Sequence, residues 1–331
     1  MDYIKNKITP MNYSKNVKYL VTGGAGFIGS NIVKKLLESN NYVRVIDNFS
    51  TGKKENIAEF LDNKNFEFIE GDINDSKMIK PALKDIDFVF HEAAIPSVPR
   101  SIDNPFATNK ANIDGTLNLL IASHEAHVKK VVYASSSSIY GNSIKMPKQE
   151  DDPINPISPY ALTKFAGERY CQLFTKFYKL PTLCLRYFNV FGPKQDPDSQ
   201  YSAVIPLFIK KIINDEQPTI YGDGEQSRDF TYVDNVVHAN ILAMHSDVSG
   251  EIMNIACGGK TSLNDLSKHI SQSLHKNIKP IYENARSGDV KHSLADISKA
   301  ETIIKYKPLI KTNEGIEKTI EWLKDKLKKI N

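Results

Sequence analysis

A glycine-rich run at residues 22–30, Thr-Gly-Gly-Ala-Gly-Phe-Ile-Gly-Ser, constrains the fold of this chain more than any other feature. An apolar run at 17–21 precedes it and predicts a buried strand, and a helical pattern at 28–38 follows it. A strand, a glycine-rich turn and a helix in that order predict the first unit of a dinucleotide-binding sheet. The alternative is a glycine-rich turn with a purely structural role.

Each glycine of this run has an expected task. Gly23 permits the tight turn, Gly26 lets the backbone approach a pyrophosphate, and Gly29 lets the helix pack close to the sheet. The exposed amides at the start of the helix, at Phe27 and Ile28, attract phosphate charge. The run therefore predicts a pyrophosphate site at the helix start.

An acidic residue, Asp47, ends the next predicted strand. Its carboxylate can accept hydrogen bonds from an adenosine ribose and would repel a 2′-phosphate. The sequence therefore favours NAD over NADP as the cofactor.

The first half of the chain alternates short apolar runs with longer helical patterns. The predicted strands lie at 17–21, 42–46, 66–69, 88–90, 131–134 and 182–187, and helices are predicted at 28–38, 109–126 and 159–178. This alternation predicts an α/β fold with a doubly wound parallel sheet of the Rossmann type.

After about residue 190 turn residues multiply and strands shorten, which predicts a smaller α/β substrate domain in the C-terminal part. We expect a mobile extension at 1–16, an NAD-binding domain at 17–189 and a mainly substrate-binding domain at 190–331, with some segments returning to the first domain.

Tyr160 and Lys164 lie four residues apart in a predicted helix, so they share one of its faces. A free tyrosine has a pKa near ~10, and a nearby ammonium favours its ionised form. The pair could then take a proton from a sugar hydroxyl while a hydride leaves the same carbon. Such a pair is common by chance, but here it follows a predicted strand that ends in four serines at 135–138. Strand ends of this kind lie at the ligand edge of a doubly wound sheet, where a serine can hydrogen-bond the reacting oxygen.

The second half of the chain contains candidate residues for binding a diphosphate. Arg228 and Arg286 are distant in the chain, and a guanidinium group is always charged and binds phosphate bidentately. Asp289 could accept hydrogen bonds from ribose hydroxyls. Taken singly, each arginine is more often part of a surface ion pair.

Together these motifs resemble the extended short-chain dehydrogenase/reductase family of nucleotide-sugar epimerases and dehydratases, from about Lys18 to the last helix. The UDP-N-acetylglucosamine 4-epimerase branch is the most similar, through the sequences at 91–94, 97–101, 186–197 and 201–206. The resemblance implies bound NAD, a nucleotide-sugar substrate and a homodimer. It implies a catalytic set of Asn112, Ser136, Tyr160 and Lys164. It implies cofactor contacts at Gly23, Gly26, Phe27, Ile28, Gly29, Asp47, Asn48, Ser50, Gly52, Asp72, Ile73, Ala93, Ala94, Tyr160 and Lys164. It implies substrate contacts at Ser97, Val98, Ser136, Ser137, Ser138, Asn189, Ala203, Val204, Tyr221, Arg228, Arg286, Asp289 and Ser293. For Asp72 alone, a helix cap is the alternative.

One position bears on the sugar. In the hexose 4-epimerases of this family, the residue four positions after the Asp289 equivalent gates the pocket, and a tyrosine there excludes an N-acetyl group. Ser293 occupies that position here, so we expect NAD-dependent 4-epimerisation of UDP-N-acetylglucosamine to UDP-N-acetylgalactosamine through a 4-keto intermediate. UDP-glucuronate and UDP-glucose are the alternative substrates.

Two other classes compete with this interpretation. The family's dehydratases carry Asp-Glu directly after the catalytic hydroxyl residue, whereas Ser137 and Ser138 stand there, which argues against a lyase. A non-catalytic NAD-sensing protein would lack the catalytic set, and the chain carries one.

Bulk composition argues against several partners. A net charge of +4 with scattered basic residues does not indicate nucleic-acid binding, and no stretch approaches the ~18 apolar residues of a membrane helix. Three widely spaced cysteines suit neither a disulfide framework nor a metal site. We expect a cytoplasmic protein without a metal. The predicted helices at 109–126 and 159–178 carry apolar positions that would suit either a dimer interface or a core.

Overall fold

The computed structural model describes residues 17–198, 203–285 and 291–328. Its strands are β1 (Lys18–Thr22), β2 (Tyr42–Asp47), β3 (Phe66–Glu70), β4 (Phe88–His91), β5 (Lys130–Ser136), β6 (Thr182–Tyr187), β7 (Val190–Phe191), β8 (Thr219–Tyr221), β9 (Ser227–Arg228), β10 (Thr231–Tyr232), β11 (Glu251–Ile255), β12 (Thr261–Ser262) and β13 (Ile281–Glu283). Its α-helices are α1 (Phe27–Glu38), α2 (Ser76–Ala82), α3 (Val98–Asp103), α4 (Pro105–Asn109), α5 (Gly115–Glu125), α6 (Pro159–Leu173), α7 (Val204–Ile213), α8 (Val233–His245), α9 (Leu263–Ser273), α10 (Ser298–Ile303) and α11 (Thr312–Lys328). Short 3-10 turns lie at Lys54–Asn56, Ala58–Phe60 and Ser137–Tyr140, and π-helical turns at Lys110–Asp114 and Phe174–Tyr178.

Seven parallel strands form the central sheet, in the order β11-β6-β5-β4-β1-β2-β3. The strand order reverses next to β1, which is the signature of a doubly wound sheet and places a ligand crevice at the carboxyl ends of the strands. The predicted fold class is therefore confirmed. All six predicted strands are present, each with ends within two residues of the prediction.

The seventh strand of the sheet, β11, comes from the later part of the chain and was not predicted. It pairs in parallel with β6, from Glu251 opposite Leu183 to Ile255 opposite Tyr187. Its five residues Glu-Ile-Met-Asn-Ile include a buried asparagine, so they show no long apolar run. The side chain of Asn254 is satisfied by the backbone oxygens of Lys148 and Asp296. A strand that contains such a buried polar residue is not detected by a search for apolar runs.

Both faces of the sheet are covered by helices. Along β1, Tyr19 and Val21 join one apolar cluster and Leu20 joins another, because successive side chains of a strand point to opposite faces. Residues of α1, α7, α8, α9 and α11 complete the first cluster, and residues of α2, α5 and α6 complete the second. Burial on both faces leaves the sheet edge at the strand ends as the place for a ligand.

Two predicted helices are interrupted. The predicted helix at 109–126 begins within a π-helical turn at Lys110–Asp114 and continues as α5, and the predicted helix at 159–178 ends in a π-helical turn at Phe174–Tyr178. Such turns frequently occur near functional sites because they re-aim one side chain within a helix. Asn112, in the first turn, is one of the predicted site residues.

No helix of the described ranges is long and apolar enough to cross a membrane.

Candidate active site

Two clefts open along the carboxyl edge of the sheet. The first, of about 510 Å³, is lined by the glycine-rich loop and by the ends of β2, β4 and β5. The second, of about 840 Å³, is lined by the end of β5 and by segments from the second half of the chain. We call them the cofactor cleft and the substrate cleft. Tyr160 lines both, so the two clefts meet at this side chain.

The glycine-rich loop leaves no room for side chains. Gly23 has a φ of +68°, and a Cβ there would lie 2.7 Å from the backbone of Ala93. A Cβ on Gly29 would lie 2.3 Å from the carbonyl oxygen of Gly23, so its close neighbour is the loop and not the sheet as predicted. Gly26 precedes α1 without a side-chain cap, and the first turn of α1 carries no acidic residue. The first amides of α1 are thus available to an anion, and these residues fit the pyrophosphate of a dinucleotide.

Asp47 lies at the end of β2, beside the glycine-rich loop. One carboxylate oxygen accepts the backbone N–H of Ala25 at 3.0 Å, and the other accepts that of Phe49 at 2.8 Å. Burial raises the pKa of Asp47, and the two backbone hydrogen bonds oppose that rise. A Cβ on Gly52 would lie 2.9 Å from this carboxylate, so only glycine at that position avoids a steric clash with Asp47. The acid is held in place, which fits the role of a ribose acceptor.

The other predicted cofactor contacts, apart from Gly52, line the same cleft. The amide of Asn48 donates to Asp72 at 3.0 Å, which joins the ends of β2 and β3. The second oxygen of Asp72 accepts the backbone N–H of Asn74, a local turn contact. The remaining predicted residues at this cleft are Phe27, Ile28, Ser50, Ile73, Ala93 and Ala94.

Tyr160 is the second residue of α6, and the local sequence fixes its place. Ser158 caps the helix through the N–H of Ala161, and Pro159 suits the first helical position. The N–H of Tyr160 donates to the hydroxyl of Ser101 at 3.0 Å, and that buried serine is a contact that the sequence did not predict. α6 is therefore anchored at its start from two sides.

The ionisation of Tyr160 differs from the prediction. Burial raises the pKa of Tyr160 to about 12, the hydrogen bond with Ser136 opposes the rise, and the charge of Glu92 adds to it. Lys164 lies beside this ring: its Nζ donates to the carbonyl of Ala134 at 2.8 Å and lies 6.0 Å from the centre of the Tyr160 ring. Lys164 itself is buried, and burial lowers its pKa. Burial therefore acts against ionisation of Tyr160 at neutral pH.

Asn112 lies behind the cleft and does not line it. Its Oδ1 accepts the N–H of Ile95 at 2.8 Å, and its Nδ2 donates to the Ile95 carbonyl at 3.1 Å and to Thr163 at 3.0 Å. Thr163 directly precedes Lys164 in α6. The predicted fourth member of the catalytic set therefore ties the loop after β4 to α6. Its side-chain hydrogen bonds are with Ile95 and Thr163.

The substrate cleft gathers residues from both halves of the chain. The predicted contacts that line it are Val98, Ser136, Ser137, Ser138, Asn189, Arg228 and Ser293. The N–H of Ser293 donates to the carbonyl of Ser227 at 3.0 Å, and Arg228 Nη1 donates to the same carbonyl. These contacts attach the Ser293 segment to β9.

Two buried polar atoms at this cleft have no hydrogen-bond partner among the described residues: the hydroxyl of Ser138 and Oε1 of Gln195. Buried polar groups are normally paired, so unpaired atoms in a cleft indicate a polar ligand. Gln195 follows the 186–193 run and was not predicted as a contact. Its only sequence signal was its place in the run that carries the family resemblance.

Four predicted substrate contacts are not at this cleft. Ser97 accepts the N–H of Arg100 and so caps α3. Ala203 directly precedes α7, Val204 begins it, and Tyr221 ends β8. Two more, Arg286 and Asp289, lie outside the described residues. Within the described ranges, no group of three or more His, Cys, Asp or Glu side chains could hold a metal ion.

Comparison with known proteins adds a family. Residues 19–256 match the NAD dependent epimerase/dehydratase family. A putative UDP-glucose 4-epimerase of Methanocaldococcus jannaschii is 41% identical over 92% of this chain and 98% of its own length.

Solved structures agree with that match. The UDP-N-acetylglucosamine 4-epimerase from Methanobrevibacter ruminantium M1, in complex with UDP-N-acetylmuramic acid, superposes with a TM-score of 0.89 at 45% identity, covering 95% of this chain and 100% of that one. The UDP-glucuronic acid 4-epimerase from Bacillus cereus, in complex with UDP-glucuronic acid and NAD, gives a TM-score of 0.87 at 35% identity, covering 93% and 99%.

Proposed function

This chain belongs to the NAD dependent epimerase/dehydratase family, and from that premise we propose that it is a 4-epimerase that converts UDP-N-acetylglucosamine to UDP-N-acetylgalactosamine. One observation carries the proposal: the cofactor cleft and the substrate cleft meet at Tyr160. A residue in that position can touch the sugar carbon and the cofactor at once. NAD is the cofactor, as it is in related structures.

Tyr160, Ser136 and Lys164 have separate roles in the reaction. Tyr160 takes the proton of the sugar 4-hydroxyl and later returns it, and Ser136, hydrogen-bonded to Tyr160, polarises the same oxygen. Lys164 holds a buried positive charge beside them, anchored by the carbonyl of Ala134. NAD, when bound, supplies the acceptor for the hydride of carbon 4 and a positive ring that favours ionised Tyr160.

Inversion at carbon 4 requires that the 4-keto sugar present its other face. Arg228, with Arg286 and Asp289 beyond the described residues, would hold the diphosphate and ribose while the hexose turns. Ser293, which has a small side chain, lines the substrate cleft. The enzyme must therefore bind the UDP part of the substrate tightly and the hexose loosely.

The choice of an N-acetylated sugar is supported by Ser293. It lines the same cleft as Tyr160 and the serines at 136–138, so a bulky residue there would narrow the hexose site. The similarity to a UDP-N-acetylglucosamine 4-epimerase at 45% identity supports the same substrate.

One observation favours UDP-glucuronate as a second candidate. Lys148 lines the substrate cleft and is only 3% exposed. Its Nζ donates to the carbonyl of Ser143, and a buried ammonium in a sugar site can also pair with a uronate carboxylate. Burial lowers the pKa of Lys148, and the charge of Asp152 opposes that fall.

The test is incubation of the purified protein with UDP-N-acetylglucosamine, with no NAD added and products separated by configuration. We expect a product of the same mass with the galacto configuration. Turnover of UDP-glucuronate or UDP-glucose alone would keep the mechanism and reject the assigned sugar. No turnover of any of the three would reject the proposed function.

We also propose that the protein works as a homodimer, as predicted for α5 and α6. These helices leave Ile121, Leu162 and Leu173 exposed, and the π-helical turn after α6 leaves Phe177 exposed. Leu173→Glu should halve the mass measured by light scattering. Ile144→Glu is the matched control, because Ile144 is 96% exposed in a loop away from these helices. A monomeric wild-type protein would reject the dimer.

A further inference from the structure

The loop at residues 193–198, which follows β7, brings one side chain into the substrate cleft. Gln195 lines that cleft, and its Oε1 is buried without a hydrogen-bond partner among the described residues. Its Nε2 donates to the carbonyl of Val190 at 3.1 Å, which orients the amide so that the oxygen is the unpaired atom. Such an oxygen can accept a hydroxyl or an amide N–H of a ligand, provided that the loop holds it in place.

Contacts with the first half of the chain hold this loop. Nδ2 of Asn31, on α1, donates to the carbonyl of Pro193 at 3.1 Å. The side chain of Lys194 reaches the 3-10 turns that follow β2, and Lys53 pairs with Asp196 at 2.8 Å. The loop has no helix or strand of its own, so these contacts decide where its side chains lie.

Lys194 makes the strongest of these contacts. Its Nζ donates to the carbonyl of Asn56 at 2.8 Å and lies 2.8 Å from Oε1 of Glu59. A hydrogen bond from a charged donor is roughly twice as strong as a neutral one. The side chain of Lys194 is 12% exposed, compared with 39% and 30% for the pair of Lys53 and Asp196, so solvent weakens its contacts less.

The acceptor of Lys194 is itself fixed to the glycine-rich loop. Nδ2 of the buried Asn56 donates to the carbonyl of Ala25 at 2.9 Å, and the N–H of Asn56 donates to the carbonyl of Lys53 at 3.0 Å. The N–H of Lys53 donates to the same Ala25 carbonyl at 3.0 Å. Lys194 therefore donates to a carbonyl whose position is set by the first half of the chain.

The backbone of Lys194 supports a role for its side chain. Its φ is +70°, a conformation that costs a non-glycine residue free energy and persists where surrounding contacts hold it. The ammonium contacts with Asn56 and Glu59 are of that kind.

We propose that Lys194 is a positioning residue that fixes the 193–198 loop against the first half of the chain and so places the amide of Gln195 for a ligand in the substrate cleft. The effect on the affinity for a nucleotide sugar rests on the proposed function. The effect on the loop is independent of it.

The first measurement is ligand affinity, by calorimetric titration of the purified holoenzyme. The ligand is the one of UDP-N-acetylglucosamine, UDP-glucuronate and UDP-glucose that the wild type binds most tightly, so a wrong assignment of the sugar does not affect the test. Lys194→Met removes the ammonium and keeps an unbranched side chain beside the Phe60 ring. Its Kd should rise about 10-fold, the loss of roughly one charge-assisted hydrogen bond.

Two further results belong to the same experiment. Lys194→Arg keeps the charge and the donors, so it should restore most of the affinity. Bound NAD should be retained in both variants, because the carbonyl of Ala25 keeps its two donors. In turnover, KM should rise with the Kd, and kcat should fall by a smaller factor than KM rises.

Lys130→Met is the matched control. The ammonium of Lys130 also donates to backbone carbonyls, those of Ala243 and Ser246. Lys130 begins β5, so it lies at the opposite edge of the sheet from the two clefts. Its loss should lower the free energy of unfolding and leave the Kd at the wild-type value. An equal rise of the Kd in both variants, or no rise in Lys194→Met, would mean a merely structural role and would overturn the proposal.

The second measurement needs no nucleotide sugar. Hydrogen exchange followed by mass spectrometry reports the opening of the 193–198 loop. The N–H groups of Gln195 and Asp198 each donate to a nearby acceptor. Their exchange should be about 10-fold faster in Lys194→Met than in the wild type or in Lys130→Met. Unchanged exchange in Lys194→Met would overturn the proposal.

The two measurements separate this inference from the proposed function. Faster exchange in a protein that turns over none of the three nucleotide sugars would reject the function and leave the role of Lys194 in the loop. Normal turnover with equal affinity in the wild type and Lys194→Met would do the reverse. If Lys194→Met does not fold, Glu59→Gln removes the carboxylate of the pair, and the same two changes should then be about 3-fold. Neither change in Glu59→Gln would overturn the proposal.

Discussion

The cofactor cleft and the substrate cleft lie side by side but are built differently. The cofactor cleft is built around the backbone of a glycine-rich loop and around strand ends from the first half of the chain, with side chains such as Asp47 and Tyr160 added to them. The substrate cleft is formed by side chains from distant segments, such as Ser136, Asn189, Arg228 and Ser293. The first cleft tolerates almost no change of shape, whereas the second can change a side chain and so change the sugar.

This difference explains how one fold serves several sugars. Relatives of this chain at 41% and 37% identity carry names with UDP-glucose and UDP-glucuronate, yet the matched region includes the whole cofactor cleft. Backbone contacts with a shared cofactor leave the side chains of the other cleft free to vary.

The largest effect should come from Tyr160, which lines both clefts and carries an acid–base hydroxyl. Tyr160→Phe removes the proton acceptor and should lower kcat by about 1,000-fold, while NAD remains bound. Turnover is measured with UDP-N-acetylglucosamine, and bound NAD by its release on denaturation. Tyr170→Phe, on the same helix, is the control. Full activity in Tyr160→Phe would remove the basis for the shared role of the two clefts.

A substitution in the glycine-rich loop should affect the cofactor cleft alone. Gly23→Ala places a Cβ 2.7 Å from the backbone of Ala93 at a φ of +68°. We expect loss of copurified NAD and a free energy of unfolding lower by about 1–3 kcal/mol. Gly259→Ala is the matched control, because a Cβ there meets nothing within 4 Å. If Gly23→Ala retains NAD as well as the control does, the cleft is less rigid than we describe.

A larger side chain in the substrate cleft should change only the choice of sugar. Ser293→Tyr should lower kcat/KM for UDP-N-acetylglucosamine by about 100-fold and leave that for UDP-glucose, if it is a substrate, nearly unchanged. Bound NAD should be unaffected, and Ser293→Ala should behave like the wild type. An equal loss for both sugars would show that Ser293 does not select the N-acetyl group.

The smallest expected effect is on the pH dependence of the free energy of unfolding. Its sign should differ between His91, in the first half of the chain, and Asp229, in the second half. Burial lowers the pKa of His91 from 6.5 to about 3, so the unfolded chain binds a proton that the folded chain refuses, and acidification below pH 6.5 destabilises the fold. Burial raises the pKa of Asp229 from 3.8 to about 6, so the folded chain takes up this proton more readily than the unfolded chain does. Acidification from pH 6 to 4 therefore stabilises the fold through Asp229.

Urea unfolding at pH 7.5 and 5 measures this difference. His91→Gln should lose less stability than the wild type on acidification, and Asp229→Asn should lose more, each by about 1 kcal/mol. Equal losses in all three proteins would contradict the opposite signs.

Prediction from sequence was strongest where function depends on consecutive residues. The glycine-rich loop and Asp47 are local patterns, and the structure places them at one cleft. Contacts between distant segments left no such pattern. Ser101, in the short helix α3, and Gln195, in a loop of the substrate cleft, are polar residues whose neighbours only folding shows.

The effect of burial on Tyr160 could not be predicted from the motif, for a related reason. Spacing places Lys164 one helical turn away, but burial and the partner of its ammonium, the Ala134 carbonyl, decide its influence. Burial of a titratable group is a property of the assembled fold, and a motif does not contain it.

The late strand β11 has a consequence for how the protein is made. During synthesis from the N-terminus, β6 emerges long before Glu251–Ile255 and remains an open edge until that strand arrives. An open edge of a sheet is a surface on which other chains can pair. The nascent chain therefore passes through a period in which its cofactor loop is complete but its sheet is not, and that period is when it is most exposed to aggregation.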